Sequence, residues 1–433
     1  MHEYVNWLRH ATPYINAHRD CTFVVMLPGE GVAHPNFTNI VHDLVLLHSL
    51  GVRLVLVHGS RPQIEARLAA RGIEAKYHRD LRVTDAQTLE CVIDAVGSLR
   101  ITIEASLSMD LAASPMQGSR LRVTSGNFVT ARPIGVVDGV DYHHTGEVRR
   151  LDRKGINRQL DERSIVLLSP LGYSPTGEVF NLACEDVAMR AAVDLGADKL
   201  LLFGAEDGLL DEQGTLVREL RPQQVPAHLK RLGGHYQGEL LDAAAQACKA
   251  GVKRSHIVSY AANGALLSEL FTRTGNGTLV AQEQFETLRE ATIQDVGGLL
   301  ELIRPLEDQG ILVRRSREVL EREIEQFSII EREGMIIACA ALYPIAESDS
   351  GELACLAVNP EYRHGGKGDE LLARIEKRAR TLGLKSLFVL TTRTAHWFRE
   401  RGFEPSSVEH LPAARASLYN YQRKSKVFVK ALG

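Results

Sequence analysis

The chain has no C-x-x-C pair, no H-E-x-x-H cluster, no long apolar run and no marked excess of either charge. Its six cysteines, Cys21, Cys91, Cys184, Cys248, Cys339 and Cys355, are scattered, mostly within apolar stretches. That excludes a disulfide framework and a zinc ribbon, and they read as buried reduced thiols. The histidines form no spaced ligand set, so no metal is implied. Without an apolar stretch of about 18 residues no membrane-spanning helix is expected. The opening MHEYVNWLRHATPYINAHRD lacks the apolar core of a secretory signal, so a cytoplasmic protein is expected. Lys and Arg total 51 against 54 Asp and Glu, a net charge of -3 that argues against a nucleic-acid partner. Short basic runs such as Arg149–Arg153 and Arg314–Arg317 read as solvated or small-anion-binding surfaces.

What is present is a globular composition, 44% hydrophobic and 24% charged, in 433 residues, which is too long for one ordinary core and predicts two domains. Tyr4, Trp7, Leu8, Tyr14 and Ile15 fall at helical spacing and give residues 1–20 an aromatic face, for its own domain or for a neighbouring subunit. Residues 21–280 alternate apolar runs (Thr22–Leu27, Val52–Val57, Ile165–Ser169, Leu200–Phe203) with helical segments (Asn36–Leu50, Pro62–Arg71, Glu185–Leu195). This predicts a three-layer α/β/α domain with a mostly parallel sheet and a ligand crevice beyond the strand C-termini. Residues 281–433 read as an α+β domain. Helices Asp295–Glu307 and Glu318–Gln326 precede a hairpin, Phe327–Glu331 and Met335–Tyr343, turning at Glu333-Gly334, and a third strand, Glu352–Val358.

That third strand leads into the most informative stretch, Leu353–Gly368, LACLAVNPEYRHGGKG. Arg363, Gly366 and Gly368 stand in the spacing R-x-x-G-x-G directly before the helical pattern Asp369–Arg380. Glycines let bare backbone N–H groups approach a ligand, and a helix's first turn favours an anion, so a pyrophosphate suits this loop. It is not a dinucleotide fingerprint, because Phe388–Thr392 reads FVLTT and brings no acidic residue to a second strand end.

Leu353–Arg380, Leu387–Leu390 and His396–Phe403 together resemble the acyl-coenzyme A core of the GNAT acetyltransferase superfamily. The chain as a whole, most specifically Leu418–Lys426 (LYNYQRKSK), resembles the bacterial amino-acid N-acetyltransferases. The resemblance implies acetyl transfer from acetyl-CoA to the α-amino group of L-glutamate, the committed step of arginine synthesis, without a metal. It implies coenzyme contacts at Val358, Arg363, His364, Gly365, Gly366, Lys367 and Gly368. The ammonium must lose a proton before it attacks, and Glu352 is the candidate base. The backbone N–H of Leu356 or Ala357 is the candidate oxyanion donor, with Cys355 lining the pocket. Glutamate has two carboxylates, and the resemblance assigns them to Arg314, Arg423 and Ser425, with Asn420 at the border of the groove. By residue type alone the tail is equally a solvated surface or a phosphate patch. Phe398 stands where many relatives carry a tyrosine, so the thiolate's proton must come from elsewhere.

The first domain resembles the amino-acid kinases through Val55–Gln63 (VLVHGSRPQ), Phe180–Asp198 and Glu269–Thr278. Its first glycine turn, Met26–Gly31 (MLPGEG), lacks the lysine that a kinase places there for the transferred phosphate, which argues against phosphoryl transfer. The resemblance instead implies an L-arginine inhibitor site at His256, Glu269 and Gly275, under the loop Phe271–Thr278, and a homo-hexamer tied by the N-terminal helix. An N-acetylglutamate kinase and a non-catalytic arginine sensor remain as alternatives.

Overall fold

TFVVML, RLVLVH, SIVLL and KLLLFG are apolar at nearly every position, the composition of strands buried on both faces. The computed structural model describes residues 11–109, 118, 121–233, 235–272, 275–282, 286–332, 335–345, 348–363, 366–417, 419 and 424–432. They fall into two compact units, Met1–Glu283 and Gln284–Gly433.

In the first unit these runs are β1 (Thr22–Leu27), β2 (Arg53–His58), β6 (Ser164–Leu168) and β9 (Lys199–Gly204). With β3 (Arg122–Ser125), β10 (Glu219–Leu220), β11 (Arg254–Ser259) and β12 (Thr278–Ala281) they form an eight-stranded sheet ordered β10-β12-β11-β9-β1-β2-β6-β3. Every neighbouring pair is parallel except β11 with β12. Val24, Met26, Val55, Val57, Leu200 and Leu202 face one core, while Phe23, Val25, Leu54, Leu56, Leu201 and Phe203 face the other. Helices α4 (Cys184–Leu195) and α5 (Tyr236–Lys249) cover the first core. Helices α1 (Phe37–Ser49), α3 (Ala86–Leu107) and α6 (Ala265–Phe271) cover the second, and α2 (Arg61–Ala70) packs on α3. A small sheet of β4 (Val129–Pro133), β5 (Gly146–Leu151), β7 (Leu171–Tyr173) and β8 (Val179–Asn181) stands beside it. Tyr4, Trp7 and Leu8 lie outside the described residues. Residues 11–18 are helical, and Tyr14 and Ile15 pack on the second core of their own unit, where the His18 ring meets the Leu270 carbonyl at 3.0 Å.

Asp43 on α1 is half-buried, and burial alone pushes its pKa up to about 6. The folded state therefore binds more protons than the unfolded chain between pH 4 and 6, and stability is lost as pH rises through that window. Asp43→Asn is expected to stabilise this unit by roughly 1–2 kcal/mol at pH 8, after discounting for its exposed part, and by nothing at pH 4. Denaturant unfolding at the two pH values checks this.

The second unit is one seven-stranded sheet ordered β13-β14-β15-β16-β17-β19-β18. Its strands are β13 (Glu286–Glu290), β14 (Phe327–Arg332), β15 (Met335–Pro344), β16 (Ser350–Val358), β17 (Ser386–Thr391), β18 (Glu404–Ser406) and β19 (Lys426–Ala431). Helices α7 (Val296–Asp308) and α8 (Arg317–Glu323) cover one face and α9 (Lys367–Thr381) the other. The region expected as one helix to Gln326 ends as α-helix at Glu323 and finishes in a tighter turn, Ile324–Gln326. Tyr419 lies in the loop that precedes β19.

Two irregularities in β16 matter. Ala354 pairs with Ala341 and Ala357 with Cys339, so three steps on β16 match two on β15, and Cys355 sits in the bulge with φ +51°. Leu353 before the bulge packs with α9, whereas Cys355 and Ala357 turn to the α7 side. Secondly, β16 runs parallel to β17 for only three pairs, ending at Glu352 with Phe388. Beyond that point the strands part.

Candidate active site

Glu352 stands at the apex where β16 and β17 separate. Its neighbours across the sheet are Tyr343 on β15 and Phe388 on β17. One edge of the wedge is the backbone of residues 354–358 and the other that of 389–391, ending in Thr391, whose hydroxyl lies 2.8 Å from that of Thr394. Leu356 lies on the first of these edges: Ala357 pairs with Cys339 and the Asn359 N–H donates to the Ile337 carbonyl at 2.8 Å, so the amide of the alternate residue Leu356 faces away from β15 into the wedge. The Glu352 carboxylate, 13% exposed, is held by the Arg415 guanidinium through Nε at 2.6 Å and Nη2 at 3.1 Å. Arg415 comes from the short helix Ala413–Ala416.

Val358 ends β16, and Arg363 follows on the exposed surface of the loop. His364 and Gly365 lie outside the described residues. Gly366 caps α9 with φ +68°, a left-handed conformation that costs glycine nothing. Any helix leaves its first N–H groups without an internal partner, here those of Lys367 and Gly368, and a helix start of this kind favours an anion. Lys367 is tied to Glu286 on β13 and, at 3.1 Å, to Glu370. The helix start is braced by Asp369 pairing with Arg401, which lies 4.0 Å over the Trp397 ring. A Cβ at Gly368 would stand 2.9 Å from Trp397 Cζ2. Gly368→Val should therefore displace the indole and the loop, weakening the affinity for a pyrophosphate-bearing ligand such as coenzyme A by about tenfold, if it binds on this loop, while moving the melting temperature little, because the position is only half-buried. Isothermal titration and a thermal scan check both halves.

Of the residues expected to hold the acceptor, Arg314 is 78% exposed and paired with Asp308 at 2.9 Å. Arg423 and Asn420 lie outside the described residues. Ser425 is half-buried, and its carbonyl accepts the Tyr419 hydroxyl at 2.7 Å. The guanidinium aimed inward belongs to the next residue, Arg315. Burial opposes its charge, but the nearby Cys355, Tyr343 and Cys339 groups carry its pKa up. Sequence reasoning passed over Arg315 and Arg415, since an R-R pair shows no direction and the partner of Arg415 is 63 residues away. Cys355 is buried, and its thiol and that of Cys339 are immediate neighbours across the bulge. Phe398 is buried against Trp397 and Phe403, where it serves packing.

In the first unit His256 Nδ1–H donates to Glu269 Oε1 at 2.7 Å, and Glu269 Oε2 accepts the N–H groups of Asn276 at 2.7 Å and Gly277 at 2.8 Å. Burial opposes the carboxylate's charge, yet these donors hold its pKa below the ordinary value. Burial, the largest influence on His256, holds that ring below its own ordinary value, so the pair is a neutral imidazole and a carboxylate. Among the described residues three of the four carboxylate acceptor sites are then used, and His256 Nε2 is a buried acceptor without a partner. Both remaining acceptors suit a cationic N–H donor. Gly275, at φ +59°, lies so close that a Cβ there would fall on Glu269 Oε2.

A crevice opens beyond the C-terminal ends of β1 and β2, lined by Glu30, Asp80 and Glu185 together with Arg61 and Arg82. Among the described residues lining it there is no lysine, and the turn after β1 continues as the short helix Gly29–Ala33.

Residues 22–259 match the amino acid kinase family and residues 298–403 the acetyltransferase (GNAT) family. The chain is 88% identical over 432 residues, with both sequences covered in full, to an amino-acid acetyltransferase of Ectopseudomonas mendocina (strain ymp). Among solved structures, N-acetylglutamate synthase from Neisseria gonorrhoeae complexed with coenzyme A and L-arginine is 40% identical, with a TM-score of 0.87 and 99% of each chain covered. The same enzyme complexed with coenzyme A and N-acetyl-glutamate is 41% identical, with a TM-score of 0.63 and the same coverage.

Proposed function

This chain belongs to the amino-acid acetyltransferases, and from that membership we propose that it transfers the acetyl group of acetyl-CoA to the α-amino group of L-glutamate, giving N-acetyl-L-glutamate and coenzyme A. The reaction opens arginine synthesis and is inhibited by L-arginine. The observation that carries the reading is Glu352 at the apex of the β16/β17 wedge, in a chain alike from end to end to a synthase seen with coenzyme A and N-acetyl-glutamate.

In this reading residues 281–433 do the chemistry. The pyrophosphate lies on the first turn of α9 and the acyl arm enters the wedge. Glu352 takes one proton from the substrate ammonium, and the free amine attacks the thioester carbonyl. The oxyanion is met by the N–H of Leu356, and the C–S bond breaks on collapse. The nitrogen's second proton goes to the departing thiolate or to water, a tolerable leaving group since thiols ionise near pH 8 to 9. Arg315, with Arg423 and Ser425, receives substrate carboxylate.

Residues 21–280 sense arginine, with His256, Glu269 and Gly275 as the contacts: the two open acceptors fit a guanidinium or ammonium. Residues 1–20 tie protomers into a cytoplasmic hexamer, a reading supported by the helical spacing of Tyr4, Trp7 and Leu8 in the sequence. Among the described residues no helix is long and apolar enough to cross a membrane. The kinase alternative finds no cation for a transferred phosphate in the turn after β1.

The test follows free thiol release from acetyl-CoA and L-glutamate, with and without L-arginine. Release that requires glutamate and falls with arginine is expected. Release indifferent to arginine removes the inhibitor site, and no release with any amino acid removes the reading.

A further inference from the structure

A base that has to accept a proton is held here in a closed ion pair. Both Glu352 oxygens take N–H donors from one guanidinium, at 2.6 Å and 3.1 Å, and both side chains are largely out of solvent, 13% and 22% exposed. A two-pronged guanidinium–carboxylate pair of this kind is among the stronger side-chain contacts, and opening it without a substitute would strand two charges away from water. An acceptor amine arriving at Glu352 therefore competes with Arg415.

Resting on the acetyl-transfer reading above, we propose that Arg415 is a specificity-determining residue that works by carboxylate exchange. In the empty site Arg415 closes over Glu352. An incoming acidic amino acid offers the guanidinium a second carboxylate of the same planar shape, Arg415 moves its fork onto it, and Glu352 is freed beside the substrate ammonium. No bond is made or broken in this step beyond hydrogen bonds. The charge count is conserved, because the ammonium that Glu352 meets replaces the guanidinium it gives up. The carboxylate that Arg415 takes is the side-chain one, the α-carboxylate being left to the other cations of the site, so a neutral analogue such as glutamine brings the ammonium and the α-carboxylate but no side-chain carboxylate to draw Arg415 away, and the base stays capped. Discrimination then comes from withholding the catalytic group from the wrong acceptor as well as from binding the right one.

The exchange separates three roles that Arg415 could play. If Arg415 only bound the substrate, its loss would hurt glutamate and leave glutamine unchanged. If it only oriented Glu352, its loss would hurt both alike. Under exchange, its loss hurts glutamate and helps glutamine, because the cap is gone.

The experiment compares L-glutamate with L-glutamine as acceptors for the full-length wild type, Arg415→Gln and Arg415→Lys, by thiol release, with coenzyme A binding measured calorimetrically. For Arg415→Gln the expected result is a fall of about 100-fold in kcat/KM for glutamate, mostly in KM, with a several-fold rise in kcat/KM for glutamine. Arg415→Lys, which keeps the charge but loses the fork, is expected between wild type and Arg415→Gln for both acceptors. Glutamine rates that stay level or drop in both variants overturn the exchange. Should Arg415→Gln fail to bind coenzyme A, the lysine variant decides by the same criterion. A wild type that releases no thiol with glutamate overturns the acetyl-transfer reading itself, a result distinct from either outcome above.

Discussion

Glu352→Gln lowers kcat by about three orders of magnitude, roughly 4 kcal/mol of lost barrier reduction, with coenzyme A affinity changed by no more than about twofold. Glutamine has the same length and branching, so the strand, the bulge after it and the wedge are all kept. What it lacks is a lone pair basic enough to take the ammonium proton. The loop proposed for the coenzyme begins at the other end of β16, at Val358, six residues from the Glu352 charge. The variant also leaves Arg415 without its counter-charge, so glutamate affinity is expected to hold or improve while turnover collapses. Isothermal titration with coenzyme A and with glutamate, alongside steady-state rates, separates these terms. A kcat near that of the wild type would remove Glu352 from the chemistry.

Gly275→Ala raises the half-inhibiting concentration of L-arginine by at least about tenfold, a loss of about 1.4 kcal/mol in arginine binding. The rate without arginine stays within about twofold, since the change lies in the other structural unit. Two costs converge on this methyl group. A left-handed backbone at φ +59° disfavours any side chain by about 1 kcal/mol. The new carbon also lands on Glu269 Oε2, the oxygen that gathers the N–H groups of Asn276 and Gly277. Either the loop opens or the carboxylate swings away from His256, and both outcomes spoil the acceptors left for a cation. Dose–response curves decide, and an unchanged curve would place the inhibitor elsewhere.

Much of this was open to reading from the residues. The strand, glycine turn and helix of Leu353–Arg380 declare themselves because they are contiguous, and the parallel sheet because its strands are apolar on both faces. Helix α3 went unread although Cys91, Val92, Ala95, Val96, Leu99 and Ile103 are buried at helical spacing and Asp85 caps Thr88 at 2.9 Å. Its polar residues and Gly97 dilute the stripe. The small sheet β4-β5-β7-β8 is made of short, half-polar strands whose pairing is set by contacts far apart in the chain. The His256 and Glu269 pair was reached through resemblance alone, since thirteen residues of separation give no local signal. The bulge at Cys355 defeats any alternation rule, because it moves the following residues to the opposite face. Arg314 and Arg315 illustrate the same limit: adjacent identical residues differ only in what the fold puts in front of them.

The early parting of β16 and β17 reaches beyond catalysis. A sheet whose two halves share three pairs and then diverge is mechanically short of a strand in its middle, and its inner edges at 354–358 and 389–391 must find their hydrogen bonds in water or in whatever lies between them. A ligand arm carrying amides would splice the halves together. The folding stability of residues 284–433 should then rise with coenzyme concentration as RT ln(1 + [L]/Kd), about 2.7 kcal/mol at a hundredfold excess over Kd. In a cell depleted of acetyl-CoA the domain would be easier to unfold and degrade, so the supply of acetyl groups would govern how much enzyme persists as well as how fast it works.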